Sequence, residues 1–87
     1  MSSITFLKIG TITHYYEKLG VGVLKLLSGT LSVGNDIKIV DKGREILQKV
    51  ESLQVEHKQV DHIKAGDDAG LKLSEKVKPG AEVFLES

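Results

Sequence analysis

One nine-residue pattern occurs three times in this chain of 87 residues. Leu31-Ser-Val-Gly34-Asn-Asp36-Ile37-Lys-Ile39 reads apolar-x-x-Gly-x-acid-apolar-x-apolar. Ile63-Lys-Ala-Gly66-Asp-Asp68-Ala69-Gly-Leu71 and Val77-Lys-Pro79-Gly80-Ala-Glu82-Val83-Phe-Leu85 repeat it. The glycine takes backbone angles that cost other residues a clash, so it marks a turn. The alternating apolar residues after it then face one side of a sheet. Each copy is a turn that delivers a strand. The copies start at residues 31, 63 and 77, and that unequal spacing argues for one local solution reused, not for a tandem solenoid.

The rest of the chain fills in around these entries. Leu7 to Tyr16, rich in Ile, Thr and Tyr, reads as the first strand. Gly10 inside it marks a bulge or a close backbone approach. Glu17-Lys18-Leu19-Gly20 is a turn, and Val21 to Leu27 the second strand. Val21 and Val23 are out of phase with Leu24 and Leu26, which predicts burial on two faces or a bulge near Val23–Leu24. Ser28-Gly29-Thr30 breaks the run. Asp36 to Val40 is the third strand, and Asp41-Lys42-Gly43 a hairpin turn.

Arg44 to Val55 is the longest extended stretch, with a phase change that predicts a bulge near Glu51-Ser52. A helix over Arg44–Val60 also fits, because Ile46, Val50 and Leu53 fall at i, i+4 and i+7. The strand reading is preferred because both neighbouring segments are strands. His57 to Ile63 is a connection, and Ala69–Leu73 and Glu82–Leu85 complete six or seven strands in a single domain over residues 1–87, its core at about 7–86. A single small sheet leaves one face bare, and closure into a barrel covers it. The expected fold is all-β, a small closed six-stranded antiparallel β-barrel.

Composition narrows the function classes. Twelve basic and twelve acidic side chains cancel. A free-standing nucleic-acid binder draws most of its affinity from phosphate contacts and shows a basic excess, which this chain lacks. It has no cysteine, hence no disulfide and no thiolate metal site. No window approaches the ~18 apolar residues of a membrane span. The run Met1-Ser-Ser-Ile-Thr-Phe-Leu-Lys8 is too short for a signal peptide, so a cytoplasmic protein is expected.

The order of the motifs resembles the second, β-barrel domain of translational GTPases such as elongation factor Tu. The matching pieces are Gly10-Thr11-Ile12-Thr13, the Leu31–Ile39 turn and strand, Val50-Glu51-Ser52-Leu53, Ala65-Gly66-Asp67-Asp68-Ala69-Gly70-Leu71 and Gly80-Ala-Glu-Val83-Phe-Leu85. Together they cover roughly Lys8 to Leu85. Stand-alone elongation-factor-like proteins are more similar still, and so is the small barrel appended to some collagenase-like peptidases. Both carry runs like Thr13-His14-Tyr15-Tyr16 and Val55-Glu56-His57-Lys58. The resemblance implies a barrel of the translation-factor domain II type, with ribosomal RNA, tRNA or a translation-associated protein as partner. The chain lacks a Gly-x-x-x-x-Gly-Lys-Ser/Thr phosphate loop, so GTP binding is not expected.

Candidate contact residues for RNA or a partner are His14, Tyr15, Tyr16, Lys18, His57 and Lys58. Tyr15 and Tyr16 are adjacent on a strand and point to opposite faces, so one is core-facing and the other can be exposed beside Lys18. The three histidines, His14, His57 and His62, match no common zinc spacing, and no serine sits in a Gly-x-Ser-x-Gly elbow. No metal, no cofactor and no enzymatic activity are expected. The main functional expectation is a non-catalytic binding module related to translation factors that contacts RNA or the ribosome. The alternative is a protein-interaction accessory domain similar to the small barrel on collagenase-like peptidases or RNA-modifying enzymes. Near-zero net charge favours that alternative over direct RNA binding.

Overall fold

A computed structural model describes residues 5–86. Residues 1–4, the start of the N-terminal run read as too short for a signal peptide, and residue 87, the last of the expected domain, lie outside them. Ten antiparallel strands follow one another: β1 (Phe6–Tyr16), β2 (Val21–Leu26), β3 (Thr30–Ser32), β4 (Asp36–Asp41), β5 (Arg44–Lys49), β6 (Leu53–Val55), β7 (Lys58–Val60), β8 (His62–Lys64), β9 (Asp68–Lys72) and β10 (Glu82–Glu86). Eight pair in the order β5-β4-β10-β1-β2-β9-β6-β7, and β3 with β8 form a separate two-stranded sheet. The fold is all-β.

The strand count and the closure differ from expectation. Three short strands, β3, β7 and β8, occupy segments that read as breaks or connections, because a three-residue strand carries too little alternation to stand out. The stretch from Arg44 holds β5, then a corner at Val50–Ser52, then β6. A gap in the strand, rather than a bulge, produces the phase change there. The helical spacing of Ile46, Val50 and Leu53 is a by-product of that corner. Among the described residues no strand pairing joins β5 to β7, so the ladder itself does not close. A side chain spans part of the gap: Gln48 on β5 donates Nε2–H to the carbonyl of Lys72 at 2.9 Å and accepts the amide of Ser74 at 2.9 Å.

The three pattern copies form one repeated device. Gly34, Gly66 and Gly80 have φ of 97°, 99° and 99°. In each, the residue after the glycine donates back three positions, from Asn35 to Ser32, from Asp67 to Lys64 and from Ala81 to Lys78. Glycine as third residue of such a turn is what a type II geometry requires. Each glycine amide also donates across the molecule, to the carbonyls of Val50, Leu26 and Ile12 at 2.8, 2.9 and 2.8 Å. The amides of those three residues return bonds to Asn35, Asp67 and Ala81. Val50, Leu26 and Ile12 are all fully buried, so each turn clips a strand to the core where a paired ladder is interrupted.

The core is aliphatic throughout. Ile12, Leu24, Leu26, Leu31, Ile39, Leu53, Leu71 and Val83 have no exposed surface, and Tyr15, Val55, Val60 and Leu85 pack on its margin. Both phenylalanines lie outside it on the opposite surface, flanking Lys38, whose Nζ is 4.5 Å from the Phe6 ring centre and 5.5 Å from that of Phe84.

Strand β1 carries two register shifts. Ile9 is the extra residue against β10, between the pairs Lys8–Phe84 and Gly10–Val83. Thr13 is the extra residue against β2, between Ile12–Leu24 and His14–Val23. The irregularity expected near Val23–Leu24 is therefore there, with its extra residue on the facing strand. Gly10 also answers to a close approach: a Cβ there would sit 2.3 Å from the carbonyl oxygen of Lys25.

Candidate functional site

Thr13 decides which residues the outer surface shows. Ile12 points inward, and strict alternation would send His14 and Tyr16 inward with it. One extra residue reverses the phase, as a bulge does when it re-aims a side chain. His14 and Tyr16 therefore stand on the outer face, beside their partners Val23 and Val21 on β2. Tyr15, paired with Gly22, turns inward and packs against the core. Tyr16 is 51% exposed. One tyrosine core-facing and the other exposed is what the strand alternation predicts.

An open groove of about 260 Å³ crosses this outer face. Tyr16, Leu19, Val21 and Val23 form its apolar side, and Gln54, Glu56, His57 and Asp68 its polar side. The register shows its course. Val23 pairs with Gly70 on β9, and Gly70 pairs with Gln54 on β6. Gly70 thus occupies the middle of a row whose neighbours carry side chains, and its missing side chain is the floor. A Cβ at Gly70 would meet Val21 Cγ1 at 3.2 Å.

The far rim is the two-residue turn between β6 and β7. Glu56 and His57 have φ of 52° and 66°. Both central residues are left-handed, a geometry usually filled by Asn-Gly or Gly-Gly and one that costs other residues roughly 1–2 kcal/mol each. The near rim is the turn after β1. There the Gly20 amide donates to Tyr16 at 2.9 Å and Lys72 Nζ donates to the carbonyl of Leu19 at 3.0 Å.

Of the six candidate residues, the structure brings Tyr16 and His57 into one groove and sets His14 on the same face. Tyr15 packs against the core. Lys18 and Lys58 are exposed next to the two rims but do not line the groove. Sequence reading missed Leu19, Val21, Val23, Gln54, Glu56, Asp68 and Gly70. Val21 and Val23 gave a signal in being out of phase with Leu24 and Leu26. Gly70 and Gln54 gave none, since their role appears only in the pairing of strands.

A second cleft, of about 420 Å³, is lined by Asp41, Lys42, Arg44, Lys76, Val77 and Lys78. Two of its four cations, Arg44 and Lys76, are engaged. Arg44 pairs with Asp41 at 3.5 Å and Glu75 at 3.7 Å, and it donates to the carbonyl of Lys76. Lys76 pairs with Glu17. The hydrogen bond from Lys76, with its charge, holds the Glu17 carboxyl below the ordinary carboxylate value, and Glu17 raises Lys76 in return. Among the described residues no three His, Cys, Asp or Glu side chains are placed to share a metal ion, and no helix is long and apolar enough to cross a membrane.

No family model matches the chain. Relatives do. An uncharacterized protease of Methanocaldococcus jannaschii is 32% identical over 80 residues, 91% of this chain and 19% of that protein. A collagenase of Porphyromonas gingivalis is 30% identical over 77 residues, 87% of this chain and 21% of that protein. The chain spans about a fifth of the length of the curated relatives it matches. Among solved structures, the C-terminal domain of a Geobacillus thermoleovorans protein described as a U32 peptidase superposes with a TM-score of 0.82 at 13% identity, covering 91% of each chain. Its selenomethionine variant gives 0.81. The chain has the fold of that domain.

These matches correct one expectation. Identity as a stand-alone elongation-factor-like protein, with its link to translation and the ribosome, gives way to similarity with proteases and collagenases. The physical reason lies in what the shared motifs encode. Three glycine turns and their strands specify backbone geometry, and one such architecture can carry unrelated functions.

Proposed function

We propose that this chain is a non-catalytic, protein-interaction accessory domain that serves a collagenase-like peptidase, and that the groove beside Tyr16 and His57 is its contact surface for polypeptide. One observation carries the reading: nearly the whole chain aligns, at 32% identity, with a domain-sized fifth of a protease. The groove supports it. Its lining is apolar on one side and includes two carboxylates but no lysine or arginine, which suits polypeptide and repels a phosphate backbone. The proposal treats the sheet, its three glycine clips and the Gln48 seam as one barrel-like body, closed by side chain and turn rather than by a ladder. It places the module in the cytoplasm, where a chain without cysteine folds with no need of oxidation.

Affinity capture on the immobilised chain, followed by identification of what remains after a high-salt wash, tests this. A collagenase-like peptidase retained through the wash is the expected result. Recovery of nucleic acid alone, lost as salt rises, contradicts it.

A further inference from the structure

The groove has two chemically different ends, and the strand register places them. Tyr16 pairs with Val21, and Leu19, 62% exposed, sits in the turn just beyond. That end is apolar and carries an aromatic ring. Toward the other end Gln54 pairs with Gly70, and continuing that register sets Glu56 next to Asp68. Among the described residues neither carboxylate takes part in an ion pair. Lys25 is the cross-strand partner of Asp68 on the β2 side, so one cation faces two carboxylates. Like charges on neighbouring positions of a sheet repel, and a further cation relieves them.

We propose that the groove binds an extended polypeptide segment obliquely across β1, β2, β9 and β6, with an apolar side chain against Tyr16 and Leu19 and a lysine or arginine at Glu56 and Asp68. The inference rests on the polypeptide-binding reading above and names the chemistry of what is bound. The segment belongs to the polypeptide being held for cleavage, not to the peptidase. A groove of about 260 Å³ takes a few side chains, whereas a stable contact between folded domains buries roughly 800 Å² per partner. The bare floor at Gly70 lets a peptide backbone lie close to the sheet, and Gln54 supplies a side-chain donor and acceptor to that backbone.

The test is fluorescence polarisation of the full chain with a labelled Gly-Leu-Pro-Lys-Gly peptide, the same peptide with Glu for Lys, and an oligouridylate. The Lys peptide saturates the chain. The Glu peptide binds about fivefold more weakly or worse, on the scale of one partly exposed ion pair. Glu56→Gln with Asp68→Asn, both at exposed positions, erases that preference without lowering the urea midpoint. Gly70→Val, which fills the floor, abolishes binding of both peptides. Equal binding of the two peptides by the unmodified chain overturns the proposal, as does saturation by the oligouridylate alone. A saturating Lys peptide leaves peptidase capture intact; displacement of the peptidase would make the groove its seat and overturn the choice of occupant. Capture of the peptidase without any peptide binding overturns this inference and leaves the accessory-domain reading standing. Peptide binding without capture does the opposite.

Discussion

The amide of Gly80 donates to the carbonyl of Ile12 at 2.8 Å, and the Ile12 amide donates to Ala81, the next residue, at 2.8 Å. Gly34 with Val50 and Gly66 with Leu26 repeat this reciprocal clip. Each clip joins a turn far along the chain to a residue at the heart of the core. Nothing lies within 4 Å of where a Cβ would sit at any of the three glycines, so their substitution tests backbone conformation alone. Gly34→Ala, Gly66→Ala and Gly80→Ala should each lower stability by about 1–2 kcal/mol in urea unfolding, with similar values at all three. Gly10→Ala should cost about 3 kcal/mol or more, because its methyl meets the Lys25 carbonyl instead of open space. A milder effect at Gly10 than at the three turns would contradict the account.

The extra residue at Thr13 should matter more than its side chain. Thr13 Oγ1 makes only a long bond, 3.4 Å, to the carbonyl of Val23. Thr13→Val keeps the residue count and should change stability by no more than about 0.5 kcal/mol. Deleting Thr13 leaves Ile12 and His14 adjacent, and plain alternation then keeps Ile12 inward and His14 and Tyr16 outward against the same partners, Val23 and Val21. The deletion straightens β1 and should cost about 1 kcal/mol in urea unfolding, with Tyr16 still exposed. Burial of Tyr16 or loss of folding on deletion would contradict the register described.

Gln48 ties β5 to the end of β9: its Nε2 donates to the Lys72 carbonyl, and its Oε1 accepts from both the amide and the hydroxyl of Ser74. Gln48→Ala should cost about 1–2 kcal/mol, the scale of a few exposed hydrogen bonds. It should also speed hydrogen exchange of the Ser74 amide selectively. Unchanged exchange at Ser74 would show that the seam is not formed by this side chain.

The Glu17–Lys76 pair makes a signed prediction in pH. Glu17 is lowered from its ordinary 4.5, so its contribution is present above that value and is lost as pH falls through the lower folded value. Lys76 is raised from 10.5, so its contribution is present below that value and is lost as pH rises through the higher folded value. Glu17→Gln should therefore reduce stability slightly through the neutral range and converge with the parent chain in acid. Both groups are exposed, so the difference should also shrink as salt is added. A Glu17→Gln effect that grows in acid would contradict this.

The turns and the long strands were legible because their signals are local. Gly34, Gly66 and Gly80 announce a backbone angle, and β1, β2, β4, β9 and β10 each carry enough alternation to fix their limits to within about two residues. The short strands β3 and β8 depend on each other across a long stretch of sequence, β7 folds back on β6 through the turn at Glu56 and His57, and at three residues each they left no periodic trace. The same division runs through the site. Tyr16 and His57 stood out as an aromatic and a histidine in polar company. Gly70 became a groove floor only when β9 took its place between β2 and β6. Lys18 and Lys58 read as part of the site because they adjoin it in sequence, yet the strands carry their neighbours into the groove and leave them outside. The motifs recovered the all-β class, while the relatives turned the comparison from translation factors to proteins described as proteases and collagenases.

The central claim is that this domain holds protein on behalf of a collagenase-like peptidase. Its most direct test is calorimetric titration of the chain with a purified collagenase-like peptidase from the same source, at low and high salt, set against RNA under the same conditions. The account predicts saturable binding to the peptidase that persists at high salt, with RNA giving no comparable heat. Absence of peptidase binding at both salt concentrations, or saturable binding to RNA alone, would contradict it.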